Sequence, residues 1–125
     1  MEFSQKQIWM LNFDPSFGHE YKKVRPALII ENSEYLQSGN LITVLPISSK
    51  VKKRDELDVY LPKDKKNRLM KNSIIKTKQI SSFDKQRFIK YIGDCDVNVF
   101  REVQENIRCY FSINKKNDRE DEGSQ

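Results

Sequence analysis

The sequence predicts a mainly β domain: a small, strongly bent antiparallel barrel followed by one C-terminal α-helix. Three observations carry this reading. Short apolar runs recur between clusters of turn-forming residues. The apolar period changes to steps of three and four only after residue 96. The patterned body spans about 110 residues, enough for one domain and too few for two.

The elements follow in order. Ile8–Phe13 (IWMLNF) reads as a strand, and Asp14-Pro15-Ser16-Phe17-Gly18 after it is turn chemistry. Pro26 opens a second strand, Ala27–Glu31, whose unbroken apolar run implies burial on both faces and a central position. Asn32-Ser33 can cap a single helical turn through Tyr35-Leu36, ended by Gly39. A third strand, Leu41–Leu45, is expected to stop at Pro46. Leu57, Val59 and Leu61 alternate with Asp58 and Tyr60, the pattern of a half-buried fourth strand. Ser73–Ile80 is read as a fifth and Phe88–Ile92 as a sixth, ending at Gly93. Val97, Phe100, Val103, Ile107, Tyr110 and Phe111 then form an amphipathic helix stripe with Asp96 placed as its cap. Residues 1–113 make the domain, and the wholly polar Asn114–Gln125 is expected to be a disordered tail.

Composition narrows the function. The 125 residues are 37% hydrophobic and 33% charged, with a mean hydropathy of −0.77. No apolar window approaches the ~20 residues that span a membrane, and Glu2 and Lys6 break a signal-peptide pattern. A soluble, cytoplasmic protein is expected. Cys95 and Cys109 form no CxxC pair, and His19 is the single histidine, which excludes an ordinary Cys/His zinc site and two-histidine proton shuttling. The net charge is +5, and the tail carries three basic and four acidic groups, so residues 1–113 hold +6. Residues 50–68 contain eight basic and four acidic side chains, which is either a surface for a polyanion such as nucleic acid or a solvated loop face.

Two segments offer chemistry. Asp14–Arg25 is a loop between strands with His19, Glu20, Lys22, Lys23 and Arg25, and loops on a rigid sheet collect binding groups. Arg25, held beside Pro26 at the mouth of an apolar strand, is either the partner of a structural carboxylate or a phosphate ligand. Phe17 and Tyr21 flank His19 as stacking candidates for nucleobases or as interface side chains, whereas Trp9 belongs to the core. Where the third strand ends, Ser48, Ser49 and Lys50 set two hydroxyls before a cation, suited to a phosphate oxygen or to turn capping.

Taken together, Ile8-Trp9, Phe13-Asp14-Pro15, Gly18-His19-Glu20 and Arg25-Pro26-Ala27-Leu28-Ile29-Ile30 form one run. Leu45-Pro46-Ile47-Ser48-Ser49, Ser73-Ile74-Ile75, Gln79-Ile80, Asp84-Lys85-Gln86-Arg87 and Ile92-Gly93 follow it. In order and spacing this series resembles the MazF/PemK family of bacterial toxins over about residues 5–113. The resemblance implies an SH3-like barrel that forms a homodimer and cuts single-stranded RNA sequence-selectively. It further implies a MazE/PemI-like antitoxin with an acidic segment that blocks the RNA groove. The implied reaction needs no metal or other cofactor: the 2′-OH attacks the adjacent phosphorus, leaving a 2′,3′-cyclic phosphate and a free 5′-OH.

On this resemblance Arg25 is the essential arginine, stabilising phosphorane charge, and Ser48 supplies a hydroxyl to a phosphate oxygen. His19 contributes to the site in the Gly-His-Glu version of the loop, as base or phosphate ligand. Glu20, Lys22, Lys23, Ser49, Lys50 and Gln79 join the substrate contacts. Lys78 departs from the pattern, since many members carry an acid there. A carboxylate base at 78 is excluded, and proton abstraction falls to His19, Glu20 or the arginine. Lys78 is expected on a strand end facing Arg25. Two other readings share the fold, a CcdB-like gyrase inhibitor and a non-catalytic RNA-binding module; the Arg25/Ser48 pairing argues against the first, and Lys78 keeps the second.

Overall fold

A computed structural model describes residues 2–14 and 23–114. In chain order the elements are β1 (Gln7–Asn12), β2 (Val24–Ile29), β3 (Leu41–Ser48), β4 (Val59–Leu61), β5 (Ser73–Ile75), β6 (Ser81–Asp84), β7 (Phe88–Asp94) and α1 (Val97–Tyr110). All pairings are antiparallel, in the order β4-β5-β3-β2-β1-β7, and β6 pairs with the first half of β3. The fold is mainly β with one C-terminal helix, as the apolar pattern predicts.

The expected burial of the second strand on both faces is borne out at Ala27, Leu28 and Ile29. Ile8 stands opposite Leu28, and Leu28 opposite Leu45. This row faces a core shared with Ile75, Phe100 and Val103. The intervening side chains Trp9, Ala27, Ile29 and Val44 enter a second core with Phe3, Leu36 and Phe88. Alternate strand residues point to opposite faces, so one unbroken apolar run serves two cores. The first core is covered by α1, whose N-terminus is capped where expected: Asp96 Oδ2 accepts from the N–H groups of Asn98 (2.9 Å) and Val99 (3.3 Å). Burial beside this helix pushes the Cys95 thiol up to about 12, so it packs as an apolar side chain. Asn32 likewise caps a single helical turn, Ser33–Tyr35. Among the described residues no helix is long and apolar enough to cross a membrane.

Three expectations are corrected. The third strand runs through Pro46 to Ser48 instead of stopping. The Pro46 carbonyl accepts from Lys76 N–H at 2.9 Å, so its nitrogen looks into the gap where β3 changes partner from β6 to β5. A proline can occupy a central strand there because no ladder N–H is due. The stretch 73–80 is not one strand; it is β5, a turn closed by Gln79 N–H donating to Lys76 C=O (3.0 Å), and the approach to β6. Asp58 is not a solvent-facing strand residue. It is 3% exposed and precedes β4, bound to Lys76 Nζ at 2.7 Å.

Candidate active site

A groove of about 780 Å³ opens where β2, β3 and β7 meet the segment 68–73. Register explains how distant residues converge on it. Lys90, Met10 and Pro26 form one row across β7, β1 and β2. The β2–β3 pairing ends at Ala27 and Pro46, and Arg25 and Ser48, each two residues beyond that pair, both reach the groove. Met10, Pro26, Ile47, Leu69 and Ile92 give the groove an apolar lining. Five cations surround it: Arg25, Lys50, Arg68, Lys71 and Lys90. No acidic residue or histidine lines it among the described residues. Such a surface attracts an anion carrying apolar or aromatic groups.

Each rim residue has a local reason for its place. Arg25 is exposed at the start of β2, opposite Leu11, with the fixed φ of Pro26 after it. No carboxylate among the described residues pairs with it. Ser48 Oγ accepts from Lys50 N–H at 3.1 Å, closing the turn after β3. Its own O–H has no acceptor among the described residues and is available to donate. Lys76 Nζ holds Asp58 Oδ2 at 2.7 Å, the same oxygen accepts from Asp55 N–H at 2.9 Å, and Lys76 Nζ also donates to the Lys53 carbonyl. This ion pair, chiefly through the Asp58 hydrogen bond, raises the Lys76 pKa above its usual value and pins the segment after Lys50.

Arg68, Met70 and Lys71 are presented by a loop built around one buried amide. Asn67 is fully buried; its Nδ2 donates to Pro62 C=O (2.9 Å), and its Oδ1 accepts from Asp64 N–H (3.1 Å) and Leu69 N–H (2.9 Å). Asp64 Oδ1 in turn accepts from the N–H groups of Lys66 (2.9 Å) and Asn67 (2.7 Å). The loop lies directly on Gly93, where a Cβ would collide with the Lys66 carbonyl, and Asp94 N–H donates to that carbonyl at 3.0 Å.

Of the residues singled out in the sequence, Arg25, Ser48, Ser49 and Lys50 come together on this groove. Lys23 is exposed at the base of the β1–β2 connection, where its carbonyl accepts from Phe13 N–H at 2.9 Å. Arg87 Nη1 secures the same base by donating to the carbonyls of Asn12 (3.2 Å) and Asp14 (2.6 Å). Phe17, His19, Glu20, Tyr21, Lys22 and the tail from residue 115 lie outside the described residues. Lys78 and Gln79 do not line the groove; both are exposed in the turn after β5, because β5 ends at Ile75 and the chain turns at Lys76. Met70, Lys71, Lys90 and Tyr91 line the groove without having been singled out. Lys90 and Tyr91 stand in an unremarkable strand pattern, and only the pairing of β7 with β1 brings them to the site.

Comparison with known proteins gives the family and the fold. Residues 4–111 match the model of the family described as "PemK-like, MazF-like toxin of type II toxin-antitoxin system". Endoribonuclease PemK of Escherichia coli is 31% identical over 48 residues, a match spanning only 38% of this chain and 36% of that relative. Endoribonuclease MazF9 of Mycobacterium tuberculosis is 23% identical over 112 residues, 86% of this chain and 94% of that protein. The fold is similar to the crystal structure of MazF from Deinococcus radiodurans, with TM-score 0.75 and 23% identity over 90% of this chain and 99% of that one. It is similar also to that organism's MazE–MazF complex, with TM-score 0.73 and 18% identity over 91% and 99% of the two chains. With the family model matching nearly all of the described body, the chain belongs to the PemK-like, MazF-like toxins of type II toxin–antitoxin systems.

Proposed function

We propose that the protein is the toxin of its pair: a cytoplasmic, homodimeric endoribonuclease that cuts single-stranded RNA sequence-specifically without a metal ion. The observation that carries the reading is the groove in which Arg25, unpaired with any carboxylate among the described residues, shares a wall with the Ser48 hydroxyl. An arginine stays charged at any physiological pH and grips phosphate through two parallel N–H donors.

RNA cleavage by internal transfer needs little more from a protein than positioning and charge. The 2′-oxygen forms a bond to the adjacent phosphorus while the bond from phosphorus to the 5′-oxygen breaks. One proton leaves the 2′-OH and one reaches the departing 5′-oxygen. Arg25 and the Ser48 O–H fit the non-bridging oxygens, where negative charge grows in the transition state. Arg25 can also donate to the leaving oxygen. The proton acceptor is His19, Glu20 or the arginine itself, the first two carried by the β1–β2 connection.

A MazE/PemI-like antitoxin with an acidic segment would neutralise the same five cations, so RNA and antitoxin should exclude each other. The test is a cleavage assay on a long single-stranded RNA with wild type and Arg25→Ala. Cutting by the wild type and none by the folded variant supports the reading. RNA that is bound but left whole by the wild type would make this an RNA-binding module, and gyrase inhibition with intact RNA a CcdB-like inhibitor.

A further inference from the structure

Ser48 and Lys50 reach the groove where β3 gives way to a segment that packing does not hold. Residues 49–56 are exposed throughout, and β4 begins only at Val59. Local hydrogen bonds shape the segment: Val51 N–H donates to Ser49 C=O at 3.0 Å, and Lys53 N–H to Lys50 C=O at 3.0 Å. Among the described residues, every hydrogen bond that reaches it from outside 48–58 comes from the Lys76 ammonium, to the Lys53 carbonyl and to Asp55 Oδ2, each at 3.4 Å. Lys76 does not line the groove; its side chain is 13% exposed, and the buried Asp58 fixes its ammonium at 2.7 Å. The Lys76 backbone holds the other side of Ser48, because its N–H donates to Pro46 C=O at 2.9 Å. One residue therefore grips the chain both before and after Ser48.

We propose that Lys76 is a positioning residue for RNA cleavage, aiming the Ser48 hydroxyl through the turn that follows β3. The inference rests on the cleavage reading above and adds what orients the donor assigned to the phosphate. The connection is a relay of hydrogen bonds. Lys76 Nζ holds the Lys53 carbonyl, Lys53 N–H holds the Lys50 carbonyl, and Lys50 N–H donates to Ser48 Oγ at 3.1 Å. Because Oγ accepts from Lys50, the rotation of the Ser48 side chain follows the course of residues 50–53, and so does the direction left to its O–H. Stability alone does not call for the Lys76–Asp58 pair, since apolar side chains of similar volume in place of a buried ion pair are often no less stable. What the pair supplies is a fixed distance from the end of β5 to an exposed turn. A donor serves the transition state when its place is set beforehand, and a shift of ~1 Å caused away from the chemistry can cost about 10²-fold.

The test is a double-mutant cycle read by single-turnover RNA cleavage at saturating protein, which separates the chemical step from binding. The clamp is removed by Lys76→Met and by Asp58→Asn/Lys76→Met, the second leaving no stranded buried carboxylate. Each is made in wild type and in Ser48→Ala, and thermal unfolding identifies the variants folded at the assay temperature. Removing the clamp should slow wild type by about 10–100-fold. It should slow Ser48→Ala by less than about 3-fold, because no hydroxyl is left to aim. Equal slowing in both backgrounds, or an undiminished rate in a folded variant, overturns the positioning role and leaves the pair a purely structural one. That failure would leave wild-type cleavage, and its loss in Arg25→Ala, intact. A wild type that cuts no RNA overturns the cleavage reading and this inference together.

Discussion

Gly93→Ala tests whether the loop that presents Arg68, Met70 and Lys71 is as fixed as its hydrogen bonds imply. The alanine methyl would collide with the Lys66 carbonyl oxygen and stand 2.8 Å from that of Asn67 and 2.9 Å from the Asn67 carbonyl carbon. All three are backbone atoms, and the buried Asn67 amide holds that backbone through three hydrogen bonds. Overpacking costs about 1–3 kcal/mol, and displacing Lys66 also loses the Asp94 N–H bond, about 1 kcal/mol. For a domain of this size about 2–4 kcal/mol lowers Tm by roughly 8–16 °C. Gly39 is the control, because its φ is +78° and nothing stands within 4 Å of a Cβ there. Gly39→Ala should cost about 1 kcal/mol from left-handed strain alone, and Gly39→Asn less, since asparagine tolerates that conformation. At position 93 the order reverses, with asparagine no better than alanine. Thermal unfolding by circular dichroism reads all four variants. Gly93→Ala within 2 °C of wild type, or less harmful than Gly39→Ala, would refute the close packing inferred here.

Three further outcomes follow. With five groove cations on single-stranded RNA, log K should fall against log salt with a slope near −3.5, and removing Lys71 or Lys90 should each flatten it by about 0.7, checked by a salt titration of binding. Ser48→Ala should slow cleavage by about 10²–10³, the usual loss of one transition-state donor, and Arg25→Lys should fail to replace arginine because a point charge makes no paired contact; single-turnover cleavage measures both. Lys76→Met strands the buried Asp58 carboxylate and should destabilise by about 3 kcal/mol in denaturant unfolding. Because the Lys76 pKa is raised in the fold above its usual 10.5, its contribution in wild type is lost as pH rises through the higher folded value, so the wild-type advantage over Lys76→Met should shrink through that alkaline range.

The central strands were legible because Ile8, Trp9 and Leu11, or Ala27, Leu28 and Ile29, are apolar on both strand faces, a pattern few exposed segments share. Asp96 announced α1 through capping chemistry, whereas β2 starts at Val24, two residues before the Pro26 that the sequence reads as its opening, and ends at Ile29. What the sequence hid is long-range. The strand β6 reads Ser-Ser-Phe-Asp, too polar to signal pairing, and its partner Leu41–Val44 lies some forty residues earlier in the chain. Pro46 is a strand breaker by local rules and is accommodated only because β3 changes partners there. Asp58 looked like the wet face of a strand until Lys76 was folded against it. Lys90 carries no motif, and only the β1–β7 register brings it into one row with Met10 and Pro26 at the groove. Gly93 stood in the sequence as a strand end; its role is to admit the Lys66 backbone.

The most direct measurement is the chemistry of the cut ends. Purified protein is incubated with a long single-stranded RNA in excess EDTA, and the new termini are mapped and analysed. Internal transfer with Arg25 and Ser48 on the phosphate predicts 2′,3′-cyclic phosphate and 5′-OH ends, formed with metal chelated and absent with Arg25→Ala. A requirement for added metal, 5′-phosphate ends, or undiminished cutting by Arg25→Ala would contradict it.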